Sequence, residues 1–204
     1  FPKVVAIEFD EKLAHNLPNS FPGKNLEVIN ADVLDFDFNQ LAGEFSVVGN
    51  IPYYITSPII RKLLILEKKP VKIVLLMQKE VADRILEEKG RYSFLTLFVQ
   101  NYAEVEGGIF VERKLFTPPP KVDSASVIFY PREKALVSEE VLKFVKQCFA
   151  NPRKKLQGVL PHFTGRSREE IVKIFEELGL DLDARPANLD LLEYEKLLNK
   201  IKEN

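Results

Sequence analysis

The stretch GNIPYYITSPII, residues 49–60, decides the fold. Before it, FSVVGN (45–50) is a short apolar run with β-branched residues, which predicts a buried strand. After it, SPIIRKLLILEK predicts a helix with Ser57 at the cap and Pro58 at its first position. An ordinary strand-to-helix connection would use Gly, Asp or Ser. This one instead places Asn50, Pro52, Tyr53 and Tyr54 at the carboxyl end of a strand. In open α/β sheets that is where ligands bind.

Working outward, the same alternation recurs. VVAIEFD (4–10), LEVINAD (26–32) and VKIVLLMQ (71–78) predict strands. EKLAHNL (11–17), KEVADRILEE (79–88) and SFLTLFVQNYA (93–103) predict helices. EVEGGIFV (104–111), with a glycine break, and SASVIFY (124–130) predict a final pair of adjacent strands, hence an antiparallel edge on a mostly parallel sheet. Past Pro131 only helical patterns appear, at 138–149, 151–160, 167–178 and 188–202. The expected organisation is an α/β domain over 1–131 and a small all-α domain over 132–204.

Bulk composition narrows the class. Hydrophobic residues make up 46% and charged residues 29%, which suits a packed core, and no apolar run is long enough for a membrane span. The single cysteine, Cys148, excludes an internal disulfide and points to a reducing, cytoplasmic setting. His15 and His162 are isolated and no His/Cys cluster exists, so no metal is expected. Net charge is −1, but its distribution is uneven. Residues 1–50 hold three basic and eight acidic residues, whereas 141–168 hold seven basic and none acidic. Such a basic block is commonly a solvated helix face. It becomes a phosphate footprint where the rest of the chain handles nucleic acid.

Glu8, Asp32 and Asn50 all fall at or just beyond strand ends. Exposed acids are common there. An acid ending the second strand of a dinucleotide-type sheet can also accept both ribose hydroxyls of a nucleoside. Asp32, after the next strand, could take an adenine amino group. An enzyme that methylates the exocyclic amine of adenine would find a use for the opening stretch. That amine is a poor nucleophile because its lone pair is delocalised into the ring. The Asn50 side-chain oxygen and the Ile51 carbonyl could accept its hydrogens and localise the pair. Pro52 fixes the turn without a competing N–H. Tyr53 could stack on a base taken out of its helix.

With these residues on the page, the resemblance is to the KsgA-type small-subunit rRNA adenine dimethyltransferases. NIPY is similar to the Asn/Asp-Pro-Pro-Tyr signature of adenine amino-methyltransferases, in its rRNA variant. MQKEVADRI (77–85), GRYSFLTLFVQNY (90–102) and above all FTPPPKVDSASVIF (116–129) resemble that family, and the resemblance runs from residue 4 to about 160. It implies a Rossmann-like, S-adenosylmethionine-dependent methyltransferase sheet. Glu8 is then expected on the donor's ribose, Asp32 on its adenine amino group and the Val33 amide on the ring. Asn50, Ile51, Pro52 and Tyr53 would hold the target base, with Asn50 also beside the donor. Read alone, FTPPPK is a rigid linker with a core Phe. The family reading instead makes Phe116 close on the base's other face and sends Lys121 towards RNA. FANPRKKLQGVL (149–160) resembles the family's basic helix start, so Arg153, Lys154 and Lys155 are expected on phosphates, although Pro152 and Gly158 depart from the usual pattern. DARPANLD (183–190) matches a family turn only loosely, lacking its acid.

One family feature precedes the sequence. The glycine-rich donor loop lies one strand before the position of Glu8, and the chain begins after it, at Phe1, with Met77 its only methionine. The expectation is a sheet whose first strand, normally between VVAIEFD and FSVVGN, is missing. Those two strands would then pair directly, leave a slot, or be bridged by another segment. Donor binding by these 204 residues alone would be weak. The expected reaction is transfer at adenosine N6, twice on each target, by a monomer acting on small-subunit rRNA or the pre-30S particle. Two alternatives stand beside it: the same chemistry on large-subunit rRNA, and an RNA-binding or ribosome-assembly module without catalysis.

Overall fold

The computed structural model describes residues 3–22 and 25–203; Phe1 lies outside them. Strand β1 (Val4–Glu8) leads through α1 (Glu11–Ser20) to β2 (Leu26–Asn30). Then come β3 (Val47–Asn50), α2 (Thr56–Ile65), β4 (Ile73–Gln78), α3 (Lys79–Ile85) and α4 (Phe94–Tyr102). The long β5 (Ala103–Val111) and β6 (Ser124–Pro131) complete the strands. The remainder is helical: α5 (Glu139–Cys148), α6 (Leu156–Val159), α7 (Pro161–Thr164), α8 (Arg168–Leu178) and α9 (Leu191–Glu203).

The strands form two sheets. β1 and β2 pair in parallel, and β3-β4-β6-β5 make a separate four-stranded sheet. β3 and β4 run parallel, whereas β6 is antiparallel to both β4 and β5. The expected antiparallel edge is therefore present. Direct pairing of β1 with β3 is not: among the described residues no ladder joins them. Ile7 and Ile29 nevertheless pack onto the main core, so the two-stranded unit is docked through side chains.

The core follows from the sequence periods. β4 alternates, burying Ile73, Leu75 and Met77. Leu63 and Leu64 of α2 cover one face with Val127 and Phe129 of β6, and the cluster continues without a break into Val141, Phe144, Phe175 and Tyr194 of the helical segment. α4 and α8 each open with a capping box, from Ser93 with Thr96 and from Ser167 with Glu170. At Gly108 the edge strand approaches its neighbour so closely that a Cβ would lie 2.2 Å from Ser126 Oγ. This glycine sits inside the bulge between Gly107 and Phe110.

Two local expectations need correction. Ser57 is not the cap of α2, which begins at Thr56. Residues Tyr53–Ile55 already wind as a 3-10 turn, and the Thr56 hydroxyl donates back to the Tyr53 carbonyl at 3.0 Å. Pro58 therefore sits deeper in the first turn, where its missing N–H still costs no helical bond. The helix expected over 151–160 shrinks to Leu156–Val159. Pro152 disfavours helical geometry at Asn151, and the chain turns instead, with Lys154 N–H donating to the Asn151 carbonyl at 3.0 Å.

Candidate active site and nucleic-acid interface

Asn50 ends β3, and the chain leaves the sheet at once. The Ile51 N–H still reaches the Leu76 carbonyl at 3.4 Å, and the Ile55 N–H closes a turn on the Pro52 carbonyl at 3.1 Å. Ile51 is buried, which anchors the turn, while Asn50 and Pro52 are exposed. Among the described residues no donor reaches the Ile51 carbonyl, and the Asn50 amide has no partner. Two acceptors at a strand end are thus left open.

The second wall comes from the segment between β5 and β6. Asn50, Ile51, Pro52 and Tyr53 line an open cleft of about 280 Å³ together with Phe116, Pro118 and Pro120. Residues 66 positions apart in sequence, Asn50 and Phe116, share one cavity. The Thr117–Pro118 bond is cis. The loop is closed at its base by Arg113, whose N–H donates to Asp123 Oδ1 and whose guanidinium donates to the Lys121 carbonyl, both at 3.0 Å. Tyr53 is tied to the same segment: its hydroxyl lies 2.9 Å from Ser124 Oγ. Arg113, Asp123 and Ser124 were not singled out from the sequence. The signal available was the polar pair Asp-Ser immediately before an apolar strand. The Lys121 side chain is exposed and has no partner among the described residues.

The acids at the other strand ends do not line this cleft. Glu8 ends β1, and its Oε1 accepts the Asp10 N–H at 2.8 Å. Asn30, opposite it in register, donates its amide to the Glu8 and Phe9 carbonyls. Asp32 lies two residues past β2, and its Oδ1 accepts the Leu34 N–H at 2.8 Å. Its carbonyl accepts the Asp35 and Phe36 N–H groups, so the loop is a tight turn. Lys62 of α2 fastens that turn by donating to the Leu34 carbonyl at 2.6 Å. Each carboxylate keeps one oxygen without a partner, and the Val33 N–H donates to nothing among the described residues. That set of two acceptors and one donor suits a nucleoside: ribose hydroxyls, an amino group and a ring nitrogen.

The basic residues divide. Arg153 and Lys154 sit on the turn after α5, exposed and without partners among the described residues. Lys155 is ion-paired with Asp183 and precedes the first residue of α6, without a side-chain capping bond. Arg166, in the same block, donates to the Ile201 carbonyl and faces Glu170. Lys143 and Lys146 stand exposed on α5, likewise without partners among the described residues, while Arg168 donates to Gln157 Oε1 at 3.4 Å. No group of three or more His, Cys, Asp or Glu that could hold a metal occurs among the described residues. No helix there is long and apolar enough to cross a membrane.

Comparison with known proteins places this arrangement. A family model described as ribosomal RNA adenine dimethylase matches residues 1–202. A Mycoplasma capricolum protein named ribosomal RNA small subunit methyltransferase A is 36% identical over 98% of this chain and 79% of its own length. A Bacillus thuringiensis protein of the same name is 38% identical over 98% of the chain and 74% of its own. Among solved structures, a dimethyladenosine transferase from Plasmodium falciparum superposes with a TM-score of 0.80 at 27% identity, covering 98% of this chain and 82% of that one. The 23S rRNA methyltransferase ErmE gives 0.74 at 28% identity over the same shares.

Proposed function

Because the chain belongs to the ribosomal RNA adenine dimethylase family, we propose that it methylates adenosine N6 in small-subunit rRNA, twice on each target, with S-adenosylmethionine as donor. The observation that carries this reading is the cleft joining Asn50–Tyr53 to Phe116. Glu8, Asp32 and the Val33 amide would hold the donor's nucleoside. The donor, when bound, supplies an electrophilic sulfonium methyl group. Tyr53 and Phe116 would stack on the two faces of an adenine turned out of its helix, each contact worth roughly 1–3 kcal/mol. The Asn50 oxygen and the Ile51 carbonyl would accept the two N6 hydrogens. That localises the nitrogen lone pair and aims it at the methyl carbon. As the N–C bond forms, the S–C electrons leave with the sulfur and the amine sheds a proton to water. These contacts act by orientation and electrostatics, and no side-chain base is required.

Lys121, Arg153 and Lys154 would meet phosphates, with the helical segment 132–204 serving RNA binding and Lys155, held by its pair with Asp183, contributing least. The protein would act in the cytoplasm as a monomer on a small-subunit particle. The likeness to ErmE favours a second reading, the same transfer on large-subunit rRNA. The identities of 36% and 38% to small-subunit enzymes support the first. The test is methylation of purified unmodified 30S and 50S particles with radiolabelled donor, followed by mass mapping of the rRNA. Dimethyladenosine in the small-subunit RNA alone is expected. Label only in the large subunit would select the second reading, and binding of 30S particles without label would leave an RNA-binding module.

A further inference from the structure

The motif FTPPPKVDS ends in residues to which the reaction assigns nothing, yet Ser124 touches Tyr53 in one wall of the cleft and Asp123 closes the base of the loop that carries the other. Ser124 is fully buried at the start of β6, and its hydroxyl lies 2.9 Å from that of Tyr53. Asp123 accepts the Arg113 N–H at 3.0 Å through Oδ1, closing the loop that carries Phe116, and its carbonyl accepts the Lys79 N–H at 2.9 Å. We propose that Asp123 and Ser124 are positioning residues: together they fix the gap between the Tyr53 and Phe116 rings and so set how a flipped adenine is seated. The inference rests on the proposed base-stacking role of the cleft.

The physical case is the arrangement of fixed points. Tyr53 belongs to a 3-10 turn on an exposed connection, and its ring alone could rotate about χ1 and χ2. A hydrogen bond to a buried strand residue removes that freedom. β6 lies between β4 and β5, so Ser124 moves only if the sheet moves. Phe116 is carried by a loop whose two ends meet at Arg113 and Asp123, one residue from Ser124. Both rings are thereby referenced to adjacent residues, Asp123 and Ser124, where the chain enters β6. A loss of about 1 Å in such placement can lower a rate by up to roughly a hundredfold without weakening phosphate contacts.

The test uses the complete protein and the variants S124A, Y53F, their double and D123A. Methyl transfer to 30S particles is measured as kcat and KM, alongside filter binding of the particle. S124A and Y53F break the same hydrogen bond from opposite ends. Each is expected to lower kcat about tenfold, with KM and particle affinity within twofold, and the double variant should be no worse than either single. D123A should lower kcat similarly, and D123N, which keeps an acceptor oxygen, should recover most of it. Additive losses in the double, or unchanged kcat in Y53F, would overturn the pairing of Ser124 with Tyr53. A separate readout needs no catalysis: the 19F resonance of 3-fluorotyrosine at position 53 should shift or broaden on S124A, and an unmoved resonance would also overturn it. If the unsubstituted protein methylates no rRNA, the proposed function fails, while the 19F experiment still decides the positioning claim.

Discussion

Asn101 and Val137 hold each other by two hydrogen bonds: the Asn101 Oδ1 accepts the Val137 N–H at 2.8 Å, and its Nδ2 donates to the Val137 carbonyl at 3.3 Å. Asn101 is fully buried on α4, and its own carbonyl accepts the Leu136 N–H at 3.1 Å. An amide on the sheet-bearing part thus stands in for a strand partner to the segment leading into the helices. Replacing Asn101 by Ala would leave the Val137 backbone groups buried without partners. The expected loss is about 2 kcal/mol or more, measured by urea denaturation. Since the hydrophobic cluster runs through both parts, one cooperative transition is expected, and two separated transitions would contradict that coupling.

Asn50→Ala should abolish methyl transfer while leaving rRNA binding nearly unchanged. Its amide has no partner among the described residues, so stability should not move, and in the proposed reaction the lost acceptor is used only at the reacting amine. Steady-state methylation and filter binding check both halves. Activity within threefold of the unsubstituted protein would remove Asn50 from the proposed role.

Phe116→Ala should weaken capture of the base, and Phe116→Leu should keep part of the function, because Leu still offers an apolar face. Tyr53→Ala should cost more than Tyr53→Phe, since it deletes the ring as well as its tie to Ser124. Fluorescence of 2-aminopurine at the target position reports flipping directly. Equal signals from Ala and Leu at position 116 would argue against stacking.

The Arg153 and Lys154 side chains have no partner among the described residues, whereas Lys155 is paired with Asp183. Replacing Arg153 and Lys154 by Ala should therefore reduce the salt slope of rRNA binding by roughly one to two units. Adding Lys155→Ala should change it little further. A slope unaltered by the double substitution would make this turn an ordinary solvated surface.

Cys148 is fully buried, and burial pushes its thiol up to about 12. At pH 8 the folded protein should react with a thiol reagent only at the rate of opening, and unfolding in guanidinium should expose one thiol. Prompt labelling under native conditions would place Cys148 outside the core.

The sequence by itself carried the element order, because alternating and helical periods are local and need no partner to be visible. It also carried the NIPY turn, since an amide, a proline and two aromatics at a strand end are a costly choice for a plain connection. It misjudged α6, where Pro152 outweighed a helical-looking composition, and it could not show that Lys155 is ion-paired with Asp183 or that Arg166 donates to the Ile201 carbonyl. Phe116 was set against Asn50 by resemblance and by no local pattern, and tertiary structure alone gave Asp123 and Ser124 their partners. The reason is range. Periodicity and caps act over a few residues, whereas a cleft between residues 50 and 116 exists only after β6 has inserted between β4 and β5. Which cations stay unpaired among the described residues is likewise settled by where the folded chain leaves its carboxylates.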